Sequence, residues 1–348
     1  MGSSTLRTLS FTFPVLLLAL FAATIAAFAQ PRNQLNAGDY GLSGPFTHKN
    51  LTIYLVHGND RAAGKDILTL QEALDRNLVT VYETGSVNEL AIENSSADHE
   101  VFVQAGDIVR GGRQDRVLSY DLILPAKSGR IPIASFCVEH GRWTQRGSEP
   151  SAKFSTSTNQ LAGRDLKLAA KRLRSQDAVW KQVEETQGKL NEKLKTRVNS
   201  PISETSMELA LADTTVQMNT EEYVKALSTI IEGKSDVIGF VFAINGSVNS
   251  GDVYASGALF RKLWPKLLNA CAVEAIAERK EGEAMPAGPT QADVRAALAD
   301  PEKEKPQVND VNRRVRVVVR ESKKNVFFET RDRERNDDWV HRNYIKLD

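Results

Sequence analysis

The chain has 348 residues, 41% hydrophobic and 26% charged, an ordinary globular composition with room for one large or two modest domains. Lys+Arg 45 against Asp+Glu 44 leaves a net charge of +1, so no global field draws in nucleic acid and no nucleic-acid partner is expected. The only cysteines, Cys137 and Cys271, exclude a disulfide framework, while a single bridge, two buried thiols and a reactive thiol all stay open.

In chain order, Arg7 precedes an apolar run from Phe11 to Phe28, and Ala27-Phe28-Ala29 offers a small-residue cleavage pattern. That layout predicts a secretory signal peptide over residues 1–29 and a mature chain starting at Gln30, the alternative being an uncleaved membrane anchor. A periplasmic or secreted location follows, with no membrane partner after cleavage, because no later run is apolar enough to span a bilayer. Residues 30–50 read as a polar leader.

From 51 to 143 the pattern is β-rich. Strands are predicted over 51–56, 78–82, 89–93, 100–103, 117–124 and 131–136, separated by Gly, Asn, Asp and Ser. One helix interrupts them, signalled by Thr69 with Glu72 three residues on, a capping box. Residues 144–280 read as a linker plus a helical part, the linker being the Ser/Thr/Gly/Gln-rich stretch 144–165. Val179, Trp180, Val183 and Leu190 mark one helix face, and a second helix is expected from Met218 to Ile231 with Thr220 as its cap. "DVIGFVFAI" reads as a buried strand, and Phe260 to Ala275 as the strongest helix, with Pro265 inside it. Residues 281–310 look like a mobile insertion, and 311–348 like a C-terminal hairpin and tail. The expected fold is α+β. An antiparallel β-sandwich-like N-terminal part precedes a helical part, and late strands return to the sheet.

No Walker lysine loop, G-x-S-x-G, H-E-x-x-H or paired C-x-x-C is present, so neither a cofactor nor a metal site is expected. Two stretches carry chemistry. In "AGDIVRGGRQDRV", Gly111-Gly112 can adopt positive φ and turn successive N–H groups towards an anion. Arg110, Arg113 and Arg116 are placed to grip a phosphate or carboxylate. The plainer alternative is a charged hairpin turn with Asp115 pairing locally. In "FCVEHGRW", Glu139 is a candidate acid/base, and His140, Arg142 and Trp143 are candidate ligand contacts. The plainer alternative there is a core Cys137, a local Glu139–Arg142 pair and Trp143 covering a sheet edge.

In that order, "GDIVRGGRQDRVL", "LPAKSGRIPIASFCVEHGRW" and "GALFRKLWPKLLNACAVEA" resemble the ADP-ribosylglycohydrolase- and rhodanese-phosphatase-associated protein domain family, over roughly Pro45 to Lys280. "GGRQDR" and "CVEHGRW" are the most specific parts. Where relatives carry an acidic pair before the glycines, this chain keeps only Asp107, which argues against a two-carboxylate role there; Asp107 is a second candidate acid/base. The resemblance implies company with ADP-ribose-like or other phosphate-bearing metabolites rather than a reaction. The first expectation is an exported binding or accessory domain with an anion-recognising cleft. The alternatives are a hydrolase acting on a phosphate- or sugar-bearing substrate and a structural module of the cell envelope. The only partner foreseen is a small anionic ligand; a protein partner is not specified.

Overall fold

The computed structural model of the chain describes residues 36–62, 66–149, 152–280, 282 and 286–347, along with the first two. The signal-peptide expectation and the first part of the polar leader lie outside the described residues. Every element below belongs to the unit Leu35–Asp348.

Two apolar runs define the centre. Leu51–His57 and Val237–Ile244 are buried almost throughout, as strands covered on both faces must be. They pair antiparallel inside an eight-stranded sheet. Its order is Gly41–His48, Leu51–His57, Val237–Ile244, Ser247–Tyr254, Asp338–Lys346, Asn325–Asp332, Val315–Glu321, Gln307–Asp310. On one face Leu51, Ile53, Leu55 and Phe240 meet Phe260, Leu263 and Trp264 of the helix Gly257–Ala277. On the other, Tyr54, Val56 and Val241 meet Val294 and Leu298 of the helix Gln291–Glu302. Among the described residues no helix is long and apolar enough to cross a membrane.

Six further strands close a barrel in the order Gly129–Cys137, Glu89–Asn94, Val79–Ser86, Lys153–Leu161, Asp107–Gly111, Arg116–Leu118. Val79, Val81, Leu90, Ile92, Val109, Leu118, Ile133 and Phe154 form its apolar cluster. Leu68–Thr69, Val101–Val103 and Leu122–Leu124 make a small third sheet.

The α+β class, the late strands joining the large sheet, the Thr69 capping box and the helix Gln176–Leu194 agree with the sequence. Other expectations are corrected. The N-terminal strands form a barrel rather than a sandwich, because the first two leave for the large sheet and Lys153–Leu161 closes the ring. That closing strand falls in the stretch read as linker. The run 117–124 breaks at Ser119–Asp121, so its halves serve different sheets. The second helix runs Thr214–Leu227 from an Asp213 cap, and Thr220 sits mid-helix with its hydroxyl bonded back to the Val216 carbonyl at 2.8 Å. The segment read as a mobile insertion carries the helix Gln291–Glu302, started by a Thr290–Asp293 capping box, and the edge strand Gln307–Asp310.

Candidate functional site

The strand Asp107–Gly111 pairs with Arg116–Leu118, so Gly112–Asp115 is a tight connection. Gly111 and Gly112 both take positive φ, +117° and +55°. At Gly112 a Cβ would lie 2.2 Å from the Phe154 ring, so no side chain fits. Their N–H groups do not face a vacant concavity. Gly111 donates to Asp115 Oδ1 at 3.0 Å, Gly112 to the Lys153 carbonyl at 3.3 Å, and Arg113 N–H to Glu83 Oε2 at 3.2 Å. The anion cradled by this loop is its own Asp115.

Asp115 anchors a buried ion network. Arg146 donates to it at 2.8 and 3.1 Å, and the Ser206 hydroxyl at 3.0 Å. Glu139, also without exposure, receives a two-pronged bond from Arg142 at 2.7 and 2.6 Å, and further bonds from the Ser203 hydroxyl and the Asp115 N–H. Burial alone would raise the Glu139 carboxyl, but the Arg142 fork and Ser203 outweigh it and hold its pKa below the usual value. Arg146 also donates to Glu149 at 3.1 and 3.3 Å. Burial works against its charge too, yet Asp115, Glu139 and Glu149 raise its pKa. Buried charges are tolerated only when paired this fully.

The network has one open edge. Arg110 reaches Glu149 Oε1 at 2.7 Å through Nε and lies 3.5 Å from Glu208 Oε1 through Nη1, while its side chain stays 37% exposed. Glu208, on the short helix Met207–Leu211, is 4% exposed. Its Oε2 is buried without a hydrogen-bond partner, with Arg146 Nη2 3.9 Å away. Burial pushes its carboxyl up to about 7; Asp115 and Glu149 add to the rise, and Arg110 and Arg146 offset part of it. Beside this edge opens a cleft of about 550 Å³, lined by Arg110, Glu149, Glu208, Lys153, Phe154, Ser155, Val79 and Thr80, with Gln71, Leu74, Asp75 and Asn77 from the capped helix and its exit.

The residues picked from the sequence divide accordingly. Arg110, Gly111, Gly112, Glu139 and Arg142 share the network, and of these only Arg110 lines the cleft. The Arg113 and Arg116 guanidiniums lie 5.4 and 5.5 Å from the ring of Trp143. Arg116 is fully buried, donating to the Gln114 carbonyl and lying 3.6 Å from Glu83, out of reach of a solvent-borne ligand. The His140 ring packs on Trp180 at 4.3 Å, and its backbone pairs with Thr205. Asp107 sits apart, bonded to Lys266 at 2.5 Å and to the Gln104 N–H. Cys137 and Cys271 are free and buried; burial pushes the Cys137 thiol up to about 11 and raises Cys271 as well, so neither is a thiolate at neutral pH.

Sequence reasoning did not pick Arg146, Glu149, Ser206 and Glu208. Arg146 and Glu149 stand in the stretch that reads as linker. Glu208 is the one charge within "MELAL", and that isolation among apolar residues was the only local signal. Among the described residues no group of His, Cys, Asp and Glu is arranged to hold a metal ion.

Fold and site together define an α+β protein in which a barrel packs with a large antiparallel sheet and a buried arginine–carboxylate network opens onto a cleft. The family model of the ARG and Rhodanese-Phosphatase-superfamily-associated Protein domain matches residues 39–345, and the chain belongs to this family. Comparison with curated proteins and with solved structures gave no match.

Proposed function

We propose that this chain is an exported binding or accessory protein whose cleft takes a small anionic ligand, with Arg110 as the charge contact. The observation that carries this reading is the open edge of the network. There a half-exposed guanidinium and a buried carboxyl with a free oxygen line the same cleft. Lys153 adds a second cation, and Phe154 and Ser155 supply an apolar face and a hydroxyl. The "EHGRW" segment has a supporting role: Glu139 and Arg142 fix Asp115 and Arg146 behind the cleft. Export rests on the signal-like residues 1–29.

A thermal-shift screen against phosphorylated sugars, nucleotides and organic acids tests the reading. At least one class raises the melting temperature, and Arg110→Ala abolishes that rise. A flat response across the panel, or one that Arg110→Ala leaves intact, contradicts it.

A second reading is hydrolysis of a phosphate- or sugar-bearing, ADP-ribose-like substrate. It is favoured by Glu208, whose carboxyl near neutrality suits proton transfer. Asp107 and Glu139 suit that role poorly, since each is held in an ion pair. The third reading, a structural envelope module, draws only on how fully the rest of the network is paired.

A further inference from the structure

We propose that Glu208 gates the cleft, accepting an oxyanion only as the neutral carboxylic acid, which donates its proton to the anion while Arg110 supplies the charge. This rests on the anion-cleft reading and adds to it a protonation requirement and the geometry of the contact.

Glu208 lines the cleft, and its Oε2 is buried with no protein hydrogen-bond donor in reach. A carboxylate oxygen only accepts hydrogen bonds, and so does the oxygen of an oxyanion. Two such acceptors of like charge repel at contact. Protonation removes both objections at once: the charge disappears and Oε2 becomes a donor. A carboxylic acid kept neutral by its site can donate in this way to an oxyanion. Glu208 Oε1 lies 3.5 Å from Arg110 Nη1, so an anion bridges the guanidinium and the acid once the carboxyl turns to present Oε2 to the cleft.

The groups facing Glu208 come from several elements. Arg110 lies on the barrel strand, Asp115 on the loop after it, and Arg146 and Glu149 on the segment before Lys153. Lys153 and Asp75 also line the cleft. The two guanidiniums favour ionised Glu208, while burial and the two carboxylates oppose it, and the balance leaves its titration near 7. An added anion joins the opposing side, so binding is accompanied by proton uptake.

The sign follows. Below about 7 the free site is already competent; above it, the competent fraction falls tenfold per pH unit. The test uses inorganic sulfate, whose charge is constant between pH 6 and 8, at fixed ionic strength. Calorimetry on the wild-type protein shows sulfate affinity weakening about tenfold from pH 6 to pH 8, by the competent-fraction relation. Glu208→Gln, neutral at every pH, binds with no such slope. Titration in two buffers of different ionisation enthalpy shows proton uptake approaching one per sulfate at pH 8, a measurement that needs no variant. If sulfate fails to bind at pH 6, or binds equally to Arg110→Ala, the anion-cleft reading falls and the gate with it. If sulfate binds through Arg110 but the wild-type slope matches that of Glu208→Gln, or no proton is taken up, the gate alone is overturned.

Discussion

At Glu208 burial competes with two guanidiniums, and burial wins. Its folded carboxyl titrates near 7 against 4.5 for the free group, so ionising it costs the folded chain about 3 kcal/mol by the pKa–energy relation. The sign is that of a raised pKa: the wild type loses this stability as pH climbs from about 4.5 to about 7, and no more beyond. Glu208→Gln has no charge to bury. Its stability relative to wild type therefore rises by about 3 kcal/mol between pH 4.5 and pH 8, measured by urea unfolding at each pH. An unchanged difference would mean that the Glu208 carboxyl titrates in the folded chain as it does in the unfolded one. Gly112 is the contrasting residue, because its role was visible in the sequence. A Gly-Gly pair between strands signals positive φ, and the structure has it. The acceptor of the Gly111 N–H was not visible, since the supposed ligand is Asp115, four residues on.

The connecting segment around Arg142, Arg146 and Glu149 shows how far local pattern reaches at the level of elements. Polar, Gly-containing sequence correctly predicts little regular structure there, but it cannot show that Arg146 is drawn into the interior by Asp115 and Glu139, residues on other elements. The same blindness hid the barrel-closing strand Lys153–Leu161, whose Ser/Thr/Asn/Gln composition resembles a loop while its pairing to Asp107–Gly111 is non-local. The Glu139–Arg142 pair, three residues apart, was legible as a local contact; the full burial of its carboxylate was not. Removing one partner of such a pair is costly. Arg142→Ala strips the fork from a carboxylate with no exposure and should destabilise the protein by about 3–5 kcal/mol in denaturant unfolding. The double variant Arg142→Ala, Glu139→Gln should recover part of that loss, because the stranded charge is gone. A double variant no better than the single would show that the fork's other bonds, to the Gly112 and Thr144 carbonyls, carry the effect.

Across the whole molecule, a second buried cluster ties the layers together. His341, on the large sheet, bonds Asp121 at 2.9 Å through Nδ1 and Asp252 at 3.0 Å through Nε2. Asp121 stands where the 117–124 run breaks between barrel and small sheet, so one imidazole links three sheets. Burial lowers the His341 pKa, but the two aspartates overcome it and the net direction is upward. Burial also opposes ionisation of Asp121 and Asp252, yet His341 and the nearby lysines bring both below the usual value. The aspartates therefore stabilise the fold above about pH 4, a contribution lost in acid. His341 stabilises it below about 6.5, a contribution lost as pH rises through its higher folded pKa. His341→Gln should flatten the alkaline fall of the unfolding free energy, read from denaturant curves between pH 6 and 9. An unaltered slope would place that fall elsewhere. Nothing in the sequence around His341 marked it, because both its partners are more than 80 residues away.

The proposed ligand meets Arg110 and Glu208 in the cleft, rather than the wider set of Arg113, Arg116, His140, Arg142 and Trp143 that the sequence offered beside Arg110. Nuclear magnetic resonance with side-chain labels, during a sulfate titration at pH 6, separates the two directly. The account predicts shifts at the Arg110 Nε, the Glu208 carboxyl and the Phe154 and Ser155 amides, with the Trp143 indole and Arg113 Nε still. Shifts centred on Arg113 and Trp143, with Arg110 and Glu208 unmoved, would contradict it.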